Sequence, residues 1–292
     1  MNIDKVACKA KMVNILKAFI QICEQNNLQY FCHGGTAIGV VRHEGMIPWD
    51  DDIDVLMPRP DYDKFIRIFE ESRNPLFDLM IPGISENYYL PFVKMCDKNS
   101  TLLEFEHIPC VIGVFIDIFP LDGASPVRAD HANDWLDFRH TANKLMILPK
   151  APIENFKWFF DRLFKFQLRT ALVELECSYG KKNKYQGFVT LLNDKMRRYP
   201  YEEALFVGSY CSQFGEKAFW PKEWFSDYEI KKFEGIDVRI PYKYDNILSQ
   251  VYGKYMNLPP LEKRVSPHFV AYLDIDNRLM TNEVYQILSK QK

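Results

Sequence analysis

Four carboxylates crowd into five positions at Asp50, Asp51, Asp52 and Asp54, interrupted only by Ile53. Ile53 and Val55 alternate with Asp52 and Asp54, the pattern of a strand with one buried face, so the two acids are expected to project from the same side. Carboxylates held side by side repel, and a hard divalent cation that takes oxygen ligands relieves the repulsion. Mg²⁺ is the natural partner. A further acid, Asp117, stands alone in the apolar run Val114-Phe115-Ile116-Asp117-Ile118-Phe119. A charge there is costly unless it is paired or binds metal, which makes Asp117 the candidate third ligand. Upstream, Gly34-Gly35-Thr36 has the composition of a strand-to-helix turn, whose backbone N–H groups and helix dipole can hold a phosphate.

Each feature also has a plain structural explanation. Acidic runs are usually solvated loops, a lone buried acid can bond to backbone N–H groups or an arginine, and Gly-Gly is a common turn. Against the first stand Pro48-Trp49 before the run and Ile53 and Val55 inside it, which are odd in a solvated segment.

The elements that must position these residues follow from periodicity. Met12, Ile15, Leu16, Phe19, Ile20 and Cys23 form a helical stripe between residue 4 and about residue 27. Leu28 to Cys32 reads as a buried strand and Thr36 to Arg42 as a helix start. Ile53 to Met57 reads as a second strand closed by Pro58 and Pro60. Phe92 to Cys96 and Thr101 to Phe105 look like hairpin arms around residues 97–100, and Val111 to Phe119 like one apolar strand. Residues 130–200 turn helical and aromatic, with Trp135, Phe138, Leu145, Phe156, Trp158, Phe159, Phe160, Leu163, Phe164, Phe166 and Leu168. A strand at Val238 to Ile240 and a helix from Asp245 to Tyr252 follow. The expected fold is mixed α/β (α+β), with a catalytic core over 1–129, a helical insertion over 130–200, and a segment over 201–292 that completes the core.

Composition narrows the partners. With a net charge of −2 and a pI near 6.3 there is no basic field to draw nucleic acid. Seven cysteines without a CxxC pair, and one left over, favour reduced thiols over zinc or a disulfide framework. Six histidines without an HxxxH spacing argue against a histidine metal site, and His33 and His43 stay open in role. We expect neither a secretory signal nor a bilayer-spanning run, hence a cytoplasmic protein. Between Lys150 and Arg169 five basic residues accompany two acids and many aromatics. Core packing is favoured for this stretch, over peripheral contact of 150–170 with an anionic inner-membrane surface.

The order of strand, Gly-Gly, Asp-x-Asp and lone acid resembles the polymerase-β-like nucleotidyltransferase fold, which implies a mixed sheet and two Mg²⁺ ions. More narrowly, Gly35-Thr36-Ala37-Ile38-Gly39-Val40-Val41-Arg42-His43 with Ile47-Pro48-Trp49-Asp50-Asp51-Asp52-Ile53-Asp54 resembles the LicD family. So do Ile116-Asp117-Ile118-Phe119-Pro120-Leu121-Asp122-Gly123 and Tyr252-Gly253-Lys254-Tyr255-Met256-Asn257-Leu258-Pro259-Pro260 with Lys263, Arg264 and His268. The resemblance covers residues 1 to about 125 and 233–270. It departs at Ala37-Ile38, where Leu-Leu is usual, and at Lys254, where an acid is common.

That resemblance implies Asp52, Asp54 and Asp117 as catalytic metal ligands. It also implies transfer of a phospho-alcohol, phosphocholine first among them, from a CDP-alcohol to a glycan hydroxyl, free or lipid-linked, with release of CMP. Gly34, Gly35, Thr36, Arg42, Trp49, Lys94, Lys263, Arg264 and His268 are the candidate substrate-binding residues. Trp49, Tyr88 and Tyr89 are aromatics near the motifs that could face a choline cation. Two other functions stay open: nucleotidyl transfer to a sugar or small molecule, and a catalytically silent glycan- or nucleotide-binding protein.

Overall fold

The computed structural model describes residues 5–147, 181–265 and 270–290. Its centre is a mixed sheet in the order β1 (Phe31–Cys32), β2 (Asp54–Pro58), β7 (Phe115–Ala124), β4 (Val93–Asp97), β3 (Phe77–Met80). β2 and β7 run parallel and the other neighbours antiparallel. The far end of β7 also pairs with β8 (Phe206–Gly208), which pairs with β9 (Phe219–Pro221). A hairpin of β10 (Tyr228–Phe233) and β11 (Ile236–Pro241), and a small sheet of β12 (Tyr272–Asp274), β5 (Thr101–Leu103) and β6 (Val111–Ile112), complete the strands.

Alternation along the strands gives the central sheet two unlike faces. Cys32, Val55, Met57, Val93, Met95, Ile116 and Ile118 enter the main core, where Ile15, Leu16 and Phe19 of helix α1 (Lys5–Gln25) and Tyr62, Phe65 and Phe69 of helix α3 (Arg59–Ser72) cover them. The other face carries Asp54 and Leu56 on β2 and Asp117 and Phe119 on β7. Leu56, Leu121 and Phe31 there pack with Val207 and Trp220. Helix α2 (Gly34–His43) links β1 to the loop that enters β2.

Several expectations are corrected. Residues 93–97 and 101–103 form no hairpin: β4 lies between β3 and β7, while β5 turns out to pair with β6 and β12. Nor is 111–119 one strand. The Val114 N–H bonds to the Ser100 hydroxyl at 2.9 Å instead of to a ladder partner, which splits it into β6 and β7. Leu28 and Tyr30 are buried and Gln29 is exposed, all outside the ladder, so β1 holds only two residues. Pro58 ends β2, and Pro60 sits in the first turn of α3, where its missing N–H costs nothing. β11 and helix α6 (Tyr244–Tyr252) fall where the pattern puts them.

Within 130–200, helix α4 (His131–Ile147) and helix α5 (Lys181–Met196) share a small core of Phe138, Ala142, Leu145, Val189, Leu192 and Met196. The aromatic stretch from Phe156 to Leu168, and with it the membrane-surface reading of 150–170, lies outside the described residues. A last helix, α7 (Thr281–Lys290), which the sequence reading did not name, turns Val284, Ile287 and Leu288 to one apolar face. Among the described residues no helix is long and apolar enough to cross a membrane.

Candidate active site

Register builds the site. Asp54 on β2 stands directly opposite Asp117 on β7, and Asp117 opposite Lys94 on β4. The Asp117 N–H donates to Ile53 O at 2.8 Å and the His33 N–H to Asp54 O at 3.0 Å, which fixes this row across the sheet. The loop before β2 brings in the remaining acids. One oxygen from each of Asp52, Asp54 and Asp117 lies within 4.8 Å of the others, and Asp50, Asp51 and Asp52 form a second such group. Asp52 belongs to both.

Burial raises the Asp54 carboxyl well above the ordinary carboxylate range; Asp52, Asp117 and Asp50 raise it further, and Lys94 opposes them. Carboxylates that share one space are stable as ions only with added positive charge. The donor set, oxygen throughout and crowded, fits a hard divalent cation such as Mg²⁺.

Helix α2 begins at Gly34 itself, at φ +56°, a conformation that costs glycine little. A Cβ at Gly34 would come within 2.8 Å of Asp54 Oδ2, and one at Gly35 would overlap Asp50 Oδ2. The glycines thus let two carboxylates close on the positive end of the helix. Thr36 is buried, and its hydroxyl oxygen accepts the Asp54 N–H at 2.8 Å. It pins the start of β2, a positioning task rather than an open contact for ligand.

Lys94 differs most from expectation. Only 2% exposed, its ammonium lies 2.8 Å from Asp117 Oδ1 and 3.6 Å from Glu104 Oε1, over the Phe115 ring at 3.3 Å from its centroid. Burial lowers its pKa, but Asp117 and Glu104 outweigh burial and raise it. Lys94 reaches the site through Asp117, not as a surface clamp. Tyr88 is fully buried, with its hydroxyl on Phe92 O at 2.8 Å, and Tyr89 is hydrogen-bonded to Glu104. Neither ring is open to a choline cation.

The C-terminal motif folds back onto the acid loop. The Arg42 guanidinium donates to the carbonyls of Tyr255 at 2.5 Å and Asn257 at 3.2 Å, so its first task is to hold the turn after α6. Arg264 donates to Pro259 O at 2.8 Å and lies over the Trp49 ring, 5.4 Å from its centroid, while His43 meets the same ring edge-on. Burial and then Arg264 lower the Arg42 pKa, which marks the closeness of the two guanidinium groups. Lys263 is exposed, and His268 lies outside the described residues.

Sequence reasoning gave no site role to four residues here. Tyr252 approaches Gly34 and Asp54, and burial, then Asp54, Asp50 and Asp52, raise its phenol pKa. His33 packs edge-on against Phe119 and Trp220, and burial pushes its imidazole down to about 4. Phe119, next after Asp117 on the same face of β7, and Phe92 have ring centroids 4.2 Å apart. The i, i+2 spacing of Asp117 and Phe119 was the available signal.

The aspartates thus stand opposed on parallel neighbours of a mixed sheet, closed against a Gly-Gly helix start. Residues 27–157 match the family model described as "LicD/FKTN/FKRP, nucleotidyltransferase domain". Over 273 residues the chain is 29% identical to the lipopolysaccharide cholinephosphotransferase LicD of Haemophilus influenzae, covering 89% of this chain and 95% of that protein. A shorter match joins it to an uncharacterised protein of Rickettsia typhi, 33% identical over 62 residues, covering 21% of this chain and 20% of that one. Another, in Rickettsia prowazekii, is 39% identical over 44 residues, 15% and 16% of the two chains. The family model and the full-length match make the chain similar to LicD proteins.

Proposed function

We propose that this chain transfers a phospho-alcohol group, phosphocholine first among them, from a CDP-alcohol to a hydroxyl of a cell-surface glycan or its lipid-linked precursor, and releases CMP. The observation that carries the reading is the pair of carboxylate groups joined at Asp52, next to the start of α2. The cholinephosphotransferase name of the full-length relative supports the donor class.

Bound Mg²⁺ would supply charge neutralisation for the attacking and leaving oxygens. Asp52, Asp54 and Asp117 would hold it, with Thr36 and Lys94 keeping Asp54 and Asp117 in place. The acceptor oxygen forms a bond to the distal phosphorus as the bond to the CMP oxygen breaks, and the hydroxyl proton leaves. Arg42, Lys263 and Arg264 offer positive charge to the diphosphate from the side of Trp49. The six described cysteines are free thiols, which suits work on the cytoplasmic side.

Product analysis tests this. Purified protein with Mg²⁺, CDP-choline and an acceptor glycan is expected to yield CMP, with CDP-ethanolamine, CDP-glycerol and CDP-ribitol as comparison donors. Pyrophosphate release from CTP would instead establish nucleotidyl transfer, and no turnover on any donor would favour the silent binding protein.

A further inference from the structure

The face of the central sheet that bears the acids changes chemistry within one step along the strands. The row through Asp54, Asp117 and Lys94 is charged. Two residues further along, the row is Leu56 opposite Phe119, with the Phe92 ring against Phe119 at 4.2 Å between centroids. Leu56 is buried, but Phe119 remains partly exposed although β7 lies in the middle of the sheet. Phe119 thus leaves part of its ring uncovered beside the acids, while Ile118 and Pro120 on either side of it are buried. Tyr252, which approaches Gly34 and Asp54 and packs edge-on to Phe214, bounds the same side.

The Phe119 and Phe92 rings offer no hydroxyl or amide of their own, so a polyol laid on them would lose hydrogen bonds to water there without replacement. A cation gains twice, from the negative face of the ring and from the adjacent carboxylates. Lys94 sits closest to the Phe115 ring, 3.3 Å from its centroid against 5.9 Å for Phe92, and Asp117 and Glu104 hold its ammonium there. Residues two apart on a strand are about 7 Å apart, the reach of a trimethylammonium joined through two carbons to a phosphate held at the acids.

We infer that Phe119, backed by Phe92 and flanked by His33, is the seat for a quaternary ammonium group on the transferred alcohol, and thereby selects a choline-type donor over polyol donors. This rests on the CDP-alcohol reading above. It also moves the aromatic contact away from Trp49, Tyr88 and Tyr89, whose rings are covered by Arg264 and His43 or buried with their hydroxyls bonded.

The test is calorimetric, with Mg²⁺, on the full chain. Wild-type protein is titrated with CDP-choline, with its carbon isostere in which a quaternary carbon replaces the nitrogen, with CDP alone and with CTP. The isostere keeps the shape and removes the charge, so wild type is expected to bind CDP-choline about tenfold more tightly than the isostere. Phe119→Leu and Phe92→Leu are expected to erase that difference while binding CDP as wild type does, each checked for folding by near-UV circular dichroism. Equal wild-type affinity for CDP-choline and the isostere overturns the seat. So does a Phe119→Leu variant that keeps the difference, which would put the cation elsewhere. Loss of CDP binding in folded Phe119→Leu also overturns it, because the ring would then be stacking the nucleobase. Wild type that binds CTP but not CDP-choline defeats the donor reading itself, and the seat with it.

Discussion

Two buried aspartates on β7, five residues apart, do opposite things. Asp122 gives both oxygens to one guanidinium, with Arg59 Nε at 2.6 Å from Oδ1 and Arg59 Nη2 at 2.8 Å from Oδ2. Burial lowers the Arg59 pKa, but Asp122 outweighs burial and raises it, as expected of a saturated bidentate pair. Asp63, beside Arg59, is in turn held by both terminal nitrogens of Arg197 at 2.7 Å, so this network ties α3 to the strand and to the end of α5. Asp117 has a lysine at one oxygen and shares its space with Asp54 and Asp52. A carboxylate enclosed by one matched partner is structure; a carboxylate facing others of its own charge is a place for a ligand.

Substitution separates the two ends of the strand. Asp54→Asn or Asp52→Asn is expected to lower kcat by several orders of magnitude, about 4 kcal/mol or more of lost electrostatic stabilisation, with folding intact by far-UV circular dichroism. Asp122→Asn should do the reverse: a loss of about 3–5 kcal/mol in urea unfolding, because Arg59 is left buried without its counter-charge, and little change in donor KM. Catalysis that collapses in folded Asp122→Asn, or stability that collapses in Asp54→Asn, would erase the distinction.

Acid titration sharpens it. His33 ordinarily titrates near about 6.5, and burial takes it to about 4 in the folded chain. Between these values the unfolded chain binds the proton first, so the stability from a neutral His33 is present above the unfolded pKa and lost as pH falls through that window. His33→Leu is expected to flatten this part of the stability-against-pH curve, measured as the difference from wild type. The smallest effect belongs to the rim. Lys263→Ala or Arg264→Ala should raise donor KM several-fold with kcat little changed, if both grip the diphosphate equally in ground and transition states.

Local pattern carried the parts of the site that depend on periodicity. The alternation through Asp52-Ile53-Asp54-Val55 and around Asp117 put acids on one side and aliphatic residues in the core, as Ile53, Val55, Ile116 and Ile118 are fully buried. Pairing partners were less legible, because they are decided by contacts distant in sequence. Nothing local to residues 97–100 tells that β4 leaves its neighbour and that the Ser100 hydroxyl interrupts the next strand. Lys94 was a candidate substrate-binding base, and its enclosure was not legible because it comes from two distant segments, Glu104 on one and Phe115 and Asp117 on β7. Asp122 sat inside a matched motif, yet its role appears only once Arg59, 63 residues away, is placed on it.

The central claim is that the carboxylates joined at Asp52 hold divalent metal while Asp122 does not. Electron paramagnetic resonance of Mn²⁺, standing in for Mg²⁺, reads this directly on wild type, Asp54→Asn and Asp122→Asn at a temperature where all three are folded. Wild type and Asp122→Asn are predicted to bind Mn²⁺ alike and Asp54→Asn to lose at least tenfold in affinity, about 1.4 kcal/mol or more. Unchanged Mn²⁺ affinity in folded Asp54→Asn would contradict the account.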